Sequence, residues 1–234
     1  MCAVSYATVS RAARRLAADV PVLSLEPATL GDILATAATA GAAAGHEREA
    51  GRLVASMRAR IDAVGSLPPP AARPRVACLE RTSPAMGTGC RSSCARRAAG
   101  DPPGQAGEPS RDAGWDEILA AAPDVVVLLP CGFDLARTLA VTAEVTRRPG
   151  FGQRPAARTG GVVAVDGSSY FSRPGPGILD GLELMAAIVR AKPGDPLPAG
   201  AAWVPLARSS NPAAGAMCTD DLPGSGPRTG PDRG

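Results

Sequence analysis

Positive charge in this chain comes almost entirely from arginine, because Lys192 is the only lysine and His46 the only histidine. The formal net charge is only +3, and the arginines are scattered along the chain rather than gathered on one stripe. A nucleic-acid groove needs such a stripe, so this class of partner is disfavoured. The single histidine lies on a segment far from any cysteine in sequence, so no Cys–His pair for a thiol enzyme is evident.

Aromatic residues make up only 3% of the chain, whereas 45% of its residues are hydrophobic. A globular core must therefore be built mainly from alanine, leucine and valine. No apolar run approaches the roughly 20 residues that cross a bilayer. The N-terminus has no charged region followed by an apolar stretch, so no signal peptide is readable and the localisation is not predicted from these residues alone.

The cysteines form neither a zinc pattern nor a CxxC motif, and even the closest pair is spaced too widely for one. We therefore predict no metal site and mostly free, buried thiols. They are Cys2, Cys78, Cys90, Cys94, Cys131 and Cys218.

A long amphipathic helix is predicted between His46 and Val64. Its apolar residues recur at helical spacing, and charged residues occupy the other faces. The apolar positions are Leu53, Val54, Met57, Ile61 and Val64. A proline-rich connector at 66–74 follows and predicts a domain boundary.

Helices and strands are predicted to alternate on both sides of this boundary. Before it we expect helices at 10–18 and 29–44 and a strand at 20–25. After it we expect strands at 75–79, 124–129 and 161–165, and helices at 116–122, 134–147 and 177–191. Such alternation predicts an α/β fold with a parallel sheet. Residues 193–234 lack periodicity and are predicted to be a disordered tail in which Trp203 is an isolated anchor.

Short motifs from residue 2 to about residue 190 form an ordered set. They include Val-Leu-Ser-Leu-Glu-Pro-Ala-Thr-Leu at 22–30, Pro-Cys-Gly-Phe at 130–133 and Tyr-Phe-Ser-Arg-Pro-Gly-Pro at 170–176. In this order they resemble the cobalamin-binding branch of the helical-backbone periplasmic binding proteins, the solute-capturing components of ABC importers.

The resemblance implies an α/β, two-lobe periplasmic-binding fold with a single bridging helix and the ligand in the cleft between the lobes. Residues 1–44 would be the remnant of an N-terminal lobe, 45–66 the bridging helix and 74–192 the C-terminal α/β lobe. Met1 would fall well inside the first lobe, which implies an N-terminally truncated chain whose first lobe is incomplete.

The same resemblance implies a function in transport. The protein would capture cobalamin or a related corrinoid as its transported ligand, use no catalytic cofactor, and deliver the ligand to the permease subunits of an ABC importer. The family is extracytoplasmic, either periplasmic or membrane-anchored. Heme or a ferric siderophore is the alternative ligand. A thiol hydrolase using Cys131, and a non-functional fragment, are alternatives of other classes.

One stretch, residues 87–97, departs from the family pattern. Codons for Gly-His-Trp-Val-Pro-Glu-Leu-Val-Arg, read one nucleotide out of phase, give the Gly-Thr-Gly-Cys-Arg-Ser-Ser-Cys found from Gly87 to Cys94. We therefore hypothesise a short compensated frameshift, which the nucleotide sequence decides.

The candidate site residues follow the strands that the sequence predicts. Open α/β sheets bind ligands at the carboxyl ends of parallel strands. Tyr170 and Phe171 would offer flat faces to a corrin ring, or would merely cover the sheet edge. Arg173, just before a Pro-Gly-Pro turn, would contact the ligand periphery or serve helix entry.

The two preceding strands contribute the remaining candidates. Cys131, Gly132 and Phe133 follow the most apolar strand, where Gly132 would let the backbone approach a ligand and Phe133 would form a wall. Glu80 ends the strand at 75–79 and would line the same cleft.

Overall fold

The computed structural model describes residues 6–16, 22–70, 73–80, 86–88 and 111–206. Ahead of the sheet it places helices α1 (Tyr6–Leu16), α2 (Leu30–Ala43) and α3 (Glu47–Gly65). The α2 helix begins with a capping box, in which Asp32 N–H donates to Thr29 Oγ1 at 3.1 Å and Thr29 N–H donates to Asp32 Oδ2 at 2.8 Å. The helices predicted at 29–44 and 46–64 are thus confirmed.

The strand predicted at 20–25 is wrong for the part that the structure describes, because residues 22–28 form neither a strand nor a pairing with one. Leu23 and Leu25 are 49% and 41% exposed, so neither is held in a core. An apolar run becomes a strand only where a neighbouring strand accepts its backbone hydrogen bonds, and no described strand lies beside this segment.

Six strands within the described ranges form one mixed sheet in the order β3-β2-β1-β4-β5-β6. The central strands β1, β4 and β5 are parallel, and the other pairings are antiparallel. The strands are β1 (Val76–Leu79), β2 (Met86–Thr88), β3 (Arg111–Ala113), β4 (Val125–Leu128), β5 (Val162–Val165) and β6 (Ala201–Trp203). The three predicted parallel strands are confirmed. Of the stretch assigned to a frameshift, Gly87 and Thr88 lie in β2 and the rest lies outside the described residues, so the frameshift stays a prediction.

Helices connect the parallel strands, as the alternation predicted, and two further helices lie between β5 and the antiparallel β6. Together they are α4 (Trp115–Ala121), α5 (Leu135–Ala140), α6 (Ala143–Thr146), α7 (Pro155–Thr159), α8 (Gly167–Tyr170) and α9 (Ile178–Arg190), with a 3₁₀ turn at Phe151–Gln153. The single helix predicted at 134–147 is wrong, because it is broken between α5 and α6. At the break, the Thr142 hydroxyl donates to the Leu139 carbonyl at 2.9 Å, and this local bond competes with helix continuation.

Both faces of the sheet are buried, which explains the uninterrupted apolar sequences of its strands. Val125 and Val127 of β4 face one core cluster, which contains α9 side chains together with Ile33 of α2 and Met57 of α3. Val126 and Leu128 face the opposite cluster. The α2 and α3 helices therefore share a core with the C-terminal sheet, and the predicted division into lobes stays a prediction.

The C-terminal half of α3 is joined to α9 by charge as well as by apolar contact. The Arg60 guanidinium donates to both carboxylate oxygens of Glu183, at 2.7 and 2.8 Å, and also to Asp180. These bonds raise the pKa of Arg60 above its ordinary value, with Glu183 contributing most. None of the helices in the described ranges is long and apolar enough to span a bilayer.

The prediction of a disordered tail beginning at residue 193 is wrong for residues 193–206. Strand β6 pairs with β5, and Val204 N–H extends the pairing by donating to the Val162 carbonyl at 2.8 Å. Trp203 Nε1–H donates to the Asp195 carbonyl at 2.8 Å, so this residue closes the loop after α9. Hydrogen bonds to β5 stabilise this segment in an ordered conformation, and its composition does not predict them. Residues 207–234 lie outside the described ranges.

An exposed ion pair at the start of β1 gives a pH-dependent contribution to stability. Asp124 accepts from the Arg75 backbone and guanidinium, and the guanidinium bond is the main reason why the pKa of Asp124 is lowered. A lowered carboxyl pKa stabilises the fold above the unfolded value of about 3.9, and this stability is lost as the pH falls through the folded value.

We expect Arg75→Gln to reduce the free energy of unfolding at pH 7 only slightly, because the ion pair is half exposed and solvent screens it. The difference from the unsubstituted chain should shrink as the pH falls below about 3.9, and it should vanish once Asp124 is protonated in both the folded and the unfolded state. Urea unfolding at pH 7 and in acid measures both quantities. A difference that persists undiminished in acid would rule out the carboxylate as its source.

Candidate ligand-binding site

The predicted site residues meet at one edge of the sheet. Because β1, β4 and β5 are parallel, the segments that follow them all leave from their carboxyl ends. Glu80 follows β1 and is half-buried, Cys131–Phe133 follow β4, and Tyr170–Arg173 follow β5 by way of α8. The structure thus brings together the three segments named from the sequence.

Ser172 ties the loop after β4 to the loop after β5. Its hydroxyl accepts from Gly132 N–H at 3.1 Å and donates to the Gly167 carbonyl at 2.8 Å, and Cys131 Sγ lies 3.7 Å away. Sequence reasoning assigned no role to Ser172, although it stands inside the motif at 170–176. Its two hydrogen bonds show that the two loops form one platform.

Phe133 is half-buried, and one face of its ring is already covered. The Arg137 guanidinium lies 3.8 Å from the ring centroid in a cation–π contact. A ligand approaching that face therefore meets Arg137 rather than the bare ring. Arg137 is the second residue of this edge that the sequence did not reveal, because a helical position four residues after Phe133 becomes a neighbour only once α5 forms.

Tyr170 and Phe171 are fixed mainly by contacts inside the protein. The Tyr170 hydroxyl donates to the Ala199 carbonyl at 3.0 Å, and its ring packs so closely on Gly200 that a Cβ there would lie 2.2 Å from a ring carbon. The Tyr170 and Phe171 rings are 6.5 Å apart and tilted by 43°. These contacts favour the alternative in which the two rings cover the sheet edge. Stacking on a ligand stays a prediction.

A large apolar cavity opens beside this edge. Its volume is about 620 Å³, and it lies between α2, α3 and the turn that follows Arg173. Each helix contributes one face, with residues three or four positions apart. The lining residues are Ile33, Thr36, Ala37, Ala40 and Gly41 of α2, His46 at the N-cap of α3, Glu49, Ala50 and Leu53 of α3, and Pro174, Gly175 and Pro176 of the turn.

Close contact between α2 and α3 forms the floor of the cavity. Gly41 of α2 meets Ala50 of α3 so closely that a Cβ on Gly41 would lie 2.2 Å from the Ala50 Cβ. Leu53, in contrast, is 41% exposed and offers its side chain to the open space. The cavity therefore has a closely packed floor and an accessible apolar wall.

Few polar side chains line the cavity: Thr36 lies on α2, and His46 and Glu49 lie at the start of α3. His46 Nδ1 is 3.8 Å from Glu49 Oε2, and Glu49 also accepts from Arg52 at 3.0 Å. Arg173 directly precedes the proline turn and is exposed. Within the part of the chain that the structure describes, no group of three histidine, cysteine or acidic residues is placed to hold a bare metal ion.

Two aspartates at the sheet edge serve as helix N-caps. Asp134 accepts from Arg137 N–H at 2.8 Å, and Asp166 accepts from both the backbone N–H and the hydroxyl of Ser169, each at 2.8 Å. Their carboxylates are therefore engaged within their own turns. For the described residues, neither Arg137 nor Arg173 has a carboxylate within ion-pair distance.

A comparison with known protein families finds a match over most of the chain. The periplasmic binding protein family matches residues 3–168. No curated protein matches the chain.

Solved structures with the same fold include the following three proteins. The periplasmic heme-binding protein RhuT from Roseiflexus sp. RS-1 is 21% identical with a TM-score of 0.65, covering 80% of this chain and 72% of that one. A periplasmic heme-binding protein from Pseudomonas aeruginosa is 18% identical with a TM-score of 0.59, covering 84% and 72%. An ABC-type Fe3+-hydroxamate transport system from Saccharomonospora viridis DSM 43017 is 24% identical with a TM-score of 0.57, covering 70% and 57%. These likenesses establish the mixed α/β fold that the sequence predicted.

Proposed function

Because the chain belongs to the periplasmic binding protein family, we propose that it captures heme outside the cytoplasm and delivers it to the permease subunits of an ABC importer. It binds its solute and does not transform it. Two of the similar structures are named for heme binding, which supports this choice of ligand. The residues of the cavity supply the chemical argument.

The apolar cavity beside Arg173 is the observation that carries this proposal. Small-molecule sites are concave, mostly apolar and about 300–1,000 Å³ in volume, and this cavity lies within that range. Heme has a flat apolar macrocycle with two carboxylates on one side. Ala37, Ala40 and Leu53 would contact the macrocycle, and Arg173 would meet a carboxylate by a charge-assisted hydrogen bond.

Cobalamin, the ligand first expected from the motifs, is the second candidate. The ordered segments at 22–30, 130–133 and 170–176 favour it. Its rim carries many amides, which would lose hydrogen bonds to water against a wall of alanine, leucine and proline. The apolar lining therefore favours heme over cobalamin.

Ligand titration distinguishes these candidates. We expect hemin to bind with a dissociation constant below about 10 µM, and to bind at least about tenfold more tightly than cyanocobalamin or the ferric hydroxamate ferrichrome. The Soret absorbance reports hemin, and competition reports the other two. Tighter binding of cyanocobalamin than of hemin would replace heme by a corrinoid in the proposal.

A matched pair of leucine substitutions tests the position of the site. Leu53→Gln should weaken hemin binding about five- to tenfold, because it removes roughly 1 kcal/mol of apolar contact from the cavity wall. Leu67→Gln is the control, since Leu67 is 43% exposed, against 41% for Leu53, and lies beyond the end of α3 and outside the cavity. Equal affinities for the two variants would place the ligand elsewhere.

A further inference from the structure

The only histidine of the chain lies at the rim of the apolar cavity. His46 is the N-cap residue of α3, but its side chain makes no capping hydrogen bond and is 71% exposed. Its backbone is held on both sides, because His46 N–H donates to the Gly41 carbonyl at 2.8 Å and the His46 carbonyl accepts from Ala50 N–H at 3.0 Å. The imidazole is thus accessible while its point of attachment is fixed by α2 and α3.

Glu49 is placed to orient this imidazole. Its Oε2 lies 3.8 Å from His46 Nδ1 across one turn of α3. Histidines that bind metals usually donate their second ring N–H to a carboxylate or carbonyl, which selects the tautomer and directs the other nitrogen to the metal. If the exposed Glu49 side chain rotated so that its carboxylate accepted a hydrogen bond from Nδ1–H, Nε2 would be left with its lone pair free to bind a metal.

The surroundings of His46 indicate which form of metal it would bind. A bare ion needs three or four protein donors, and the described residues offer no such group. A porphyrin brings four nitrogen donors of its own, so its iron needs only one or two axial ligands from the protein. One accessible imidazole beside an apolar wall therefore matches an iron porphyrin.

We infer that His46 binds the iron of heme through Nε2, that the macrocycle lies against Ala40, Ala50 and Leu53, and that Glu49 positions the imidazole. This inference rests on the proposed function, because it names the iron ligand of the same cavity. It assigns to His46 a role that neither the sequence motifs nor the predicted edge residues indicated.

Titration of the full chain with two porphyrins tests the inference. Hemin contains iron, whereas protoporphyrin IX has the same macrocycle and carboxylates without a metal. We expect His46→Ala to weaken hemin binding at least about tenfold and to abolish the absorption and electron paramagnetic resonance signature of imidazole-bound iron. Protoporphyrin IX should bind the unsubstituted chain and His46→Ala with affinities within about twofold of each other, because no iron bond is at stake.

Further variants separate ligation from a structural effect. His46→Asn keeps a residue favoured at helix N-caps and should show the same spectral loss. Free imidazole added to His46→Ala should restore the signature. Arg48→Ala, on α3 but outside the cavity lining, is the control and should bind hemin like the unsubstituted chain.

The possible outcomes distinguish failure of the iron-ligand inference from failure of the proposed function. Loss of the imidazole signature with unchanged protoporphyrin binding supports iron ligation by His46. Hemin binding with the same spectrum in His46→Ala overturns the inference and leaves the proposed function standing. Failure of the unsubstituted chain to bind hemin overturns both.

Discussion

Replacement of Gly41 by alanine is expected to lower the free energy of unfolding by about 1–3 kcal/mol and to weaken hemin binding at least about tenfold. The new Cβ would lie 2.2 Å from the Ala50 Cβ and 3.3 Å from the His46 carbonyl oxygen, so α2 and α3 must move apart. That movement opens the floor of the cavity and displaces the backbone that carries His46. Urea unfolding and hemin titration measure the two effects.

Gly51→Ala is the matched control on the neighbouring helix. Gly51 is exposed in α3, and a Cβ there meets nothing within 4 Å. Alanine loses less backbone entropy than glycine in a helix, so this variant should be more stable by about 0.5–1 kcal/mol, with hemin affinity unchanged. The two substitutions are therefore expected to have opposite signs. Destabilisation of equal size in both would show that the α2–α3 contact has no special role.

Gly167→Ala is expected to lower the free energy of unfolding by about 2–3 kcal/mol, because backbone atoms surround this position. A Cβ there would lie 2.4 Å from the Pro130 carbonyl oxygen and 3.0 Å from the Leu129 carbonyl. Relief requires the loop after β5 to separate from the loop after β4. The Ser172 hydroxyl would then lose Gly132 N–H or the Gly167 carbonyl as a partner. Thermal and urea unfolding both report the loss.

Gly177→Ala provides the comparison in the same region of the chain. Gly177 precedes α9 with a φ of −65°, and a Cβ there has no neighbour within 4 Å. We expect a change of no more than about 0.5 kcal/mol, as for surface substitutions in general. If Gly167→Ala were equally mild, the two loops would not form one rigid platform.

The core of the fold could be predicted from the sequence because its signals are local. Val125–Leu128 and Val162–Val165 are unbroken apolar runs of strand length, and both are buried on the two faces of the sheet. The α3 and α9 helices carry apolar residues at helical spacing, which a window of about 11–18 residues reveals. For these elements, local pattern and tertiary packing agree.

Elements defined by distant partners could not be predicted in the same way. The apolar run that contains Leu23 and Leu25 has a strand pattern but no partner strand among the described residues. The Ala201–Trp203 segment shows the reverse, because its composition predicts disorder while β5 supplies its hydrogen bonds. In both cases the structure depended on whether a strand distant in sequence was available as a partner. A local window of sequence does not contain that information.

The candidate site, too, could be predicted only in part. Strand ends are visible in the sequence, so the position of Glu80, Cys131–Phe133 and Tyr170–Arg173 at one edge of the sheet could be predicted, whereas their contact with a ligand stays a prediction. The contacts of these residues could not be predicted from the sequence, including the cation–π contact between Arg137 and the Phe133 ring. The cavity required the relative placement of α2, α3 and the turn at 174–176. One signal was available, since Ile33, Ala37, Ala40 and Gly41 repeat at helical spacing with mostly small side chains, leaving room beside α2.

The position of iron in crystals grown with hemin tests the central claim most directly. Anomalous scattering at the iron absorption edge locates the metal without assumptions about the macrocycle. We predict one peak in the cavity between α2, α3 and Pro174–Pro176, within bonding distance of His46 Nε2. A peak elsewhere, such as beside Cys131 or Phe133 at the sheet edge, would contradict the assignment of this cavity. Crystals that take up cyanocobalamin but no hemin would contradict the assignment of heme.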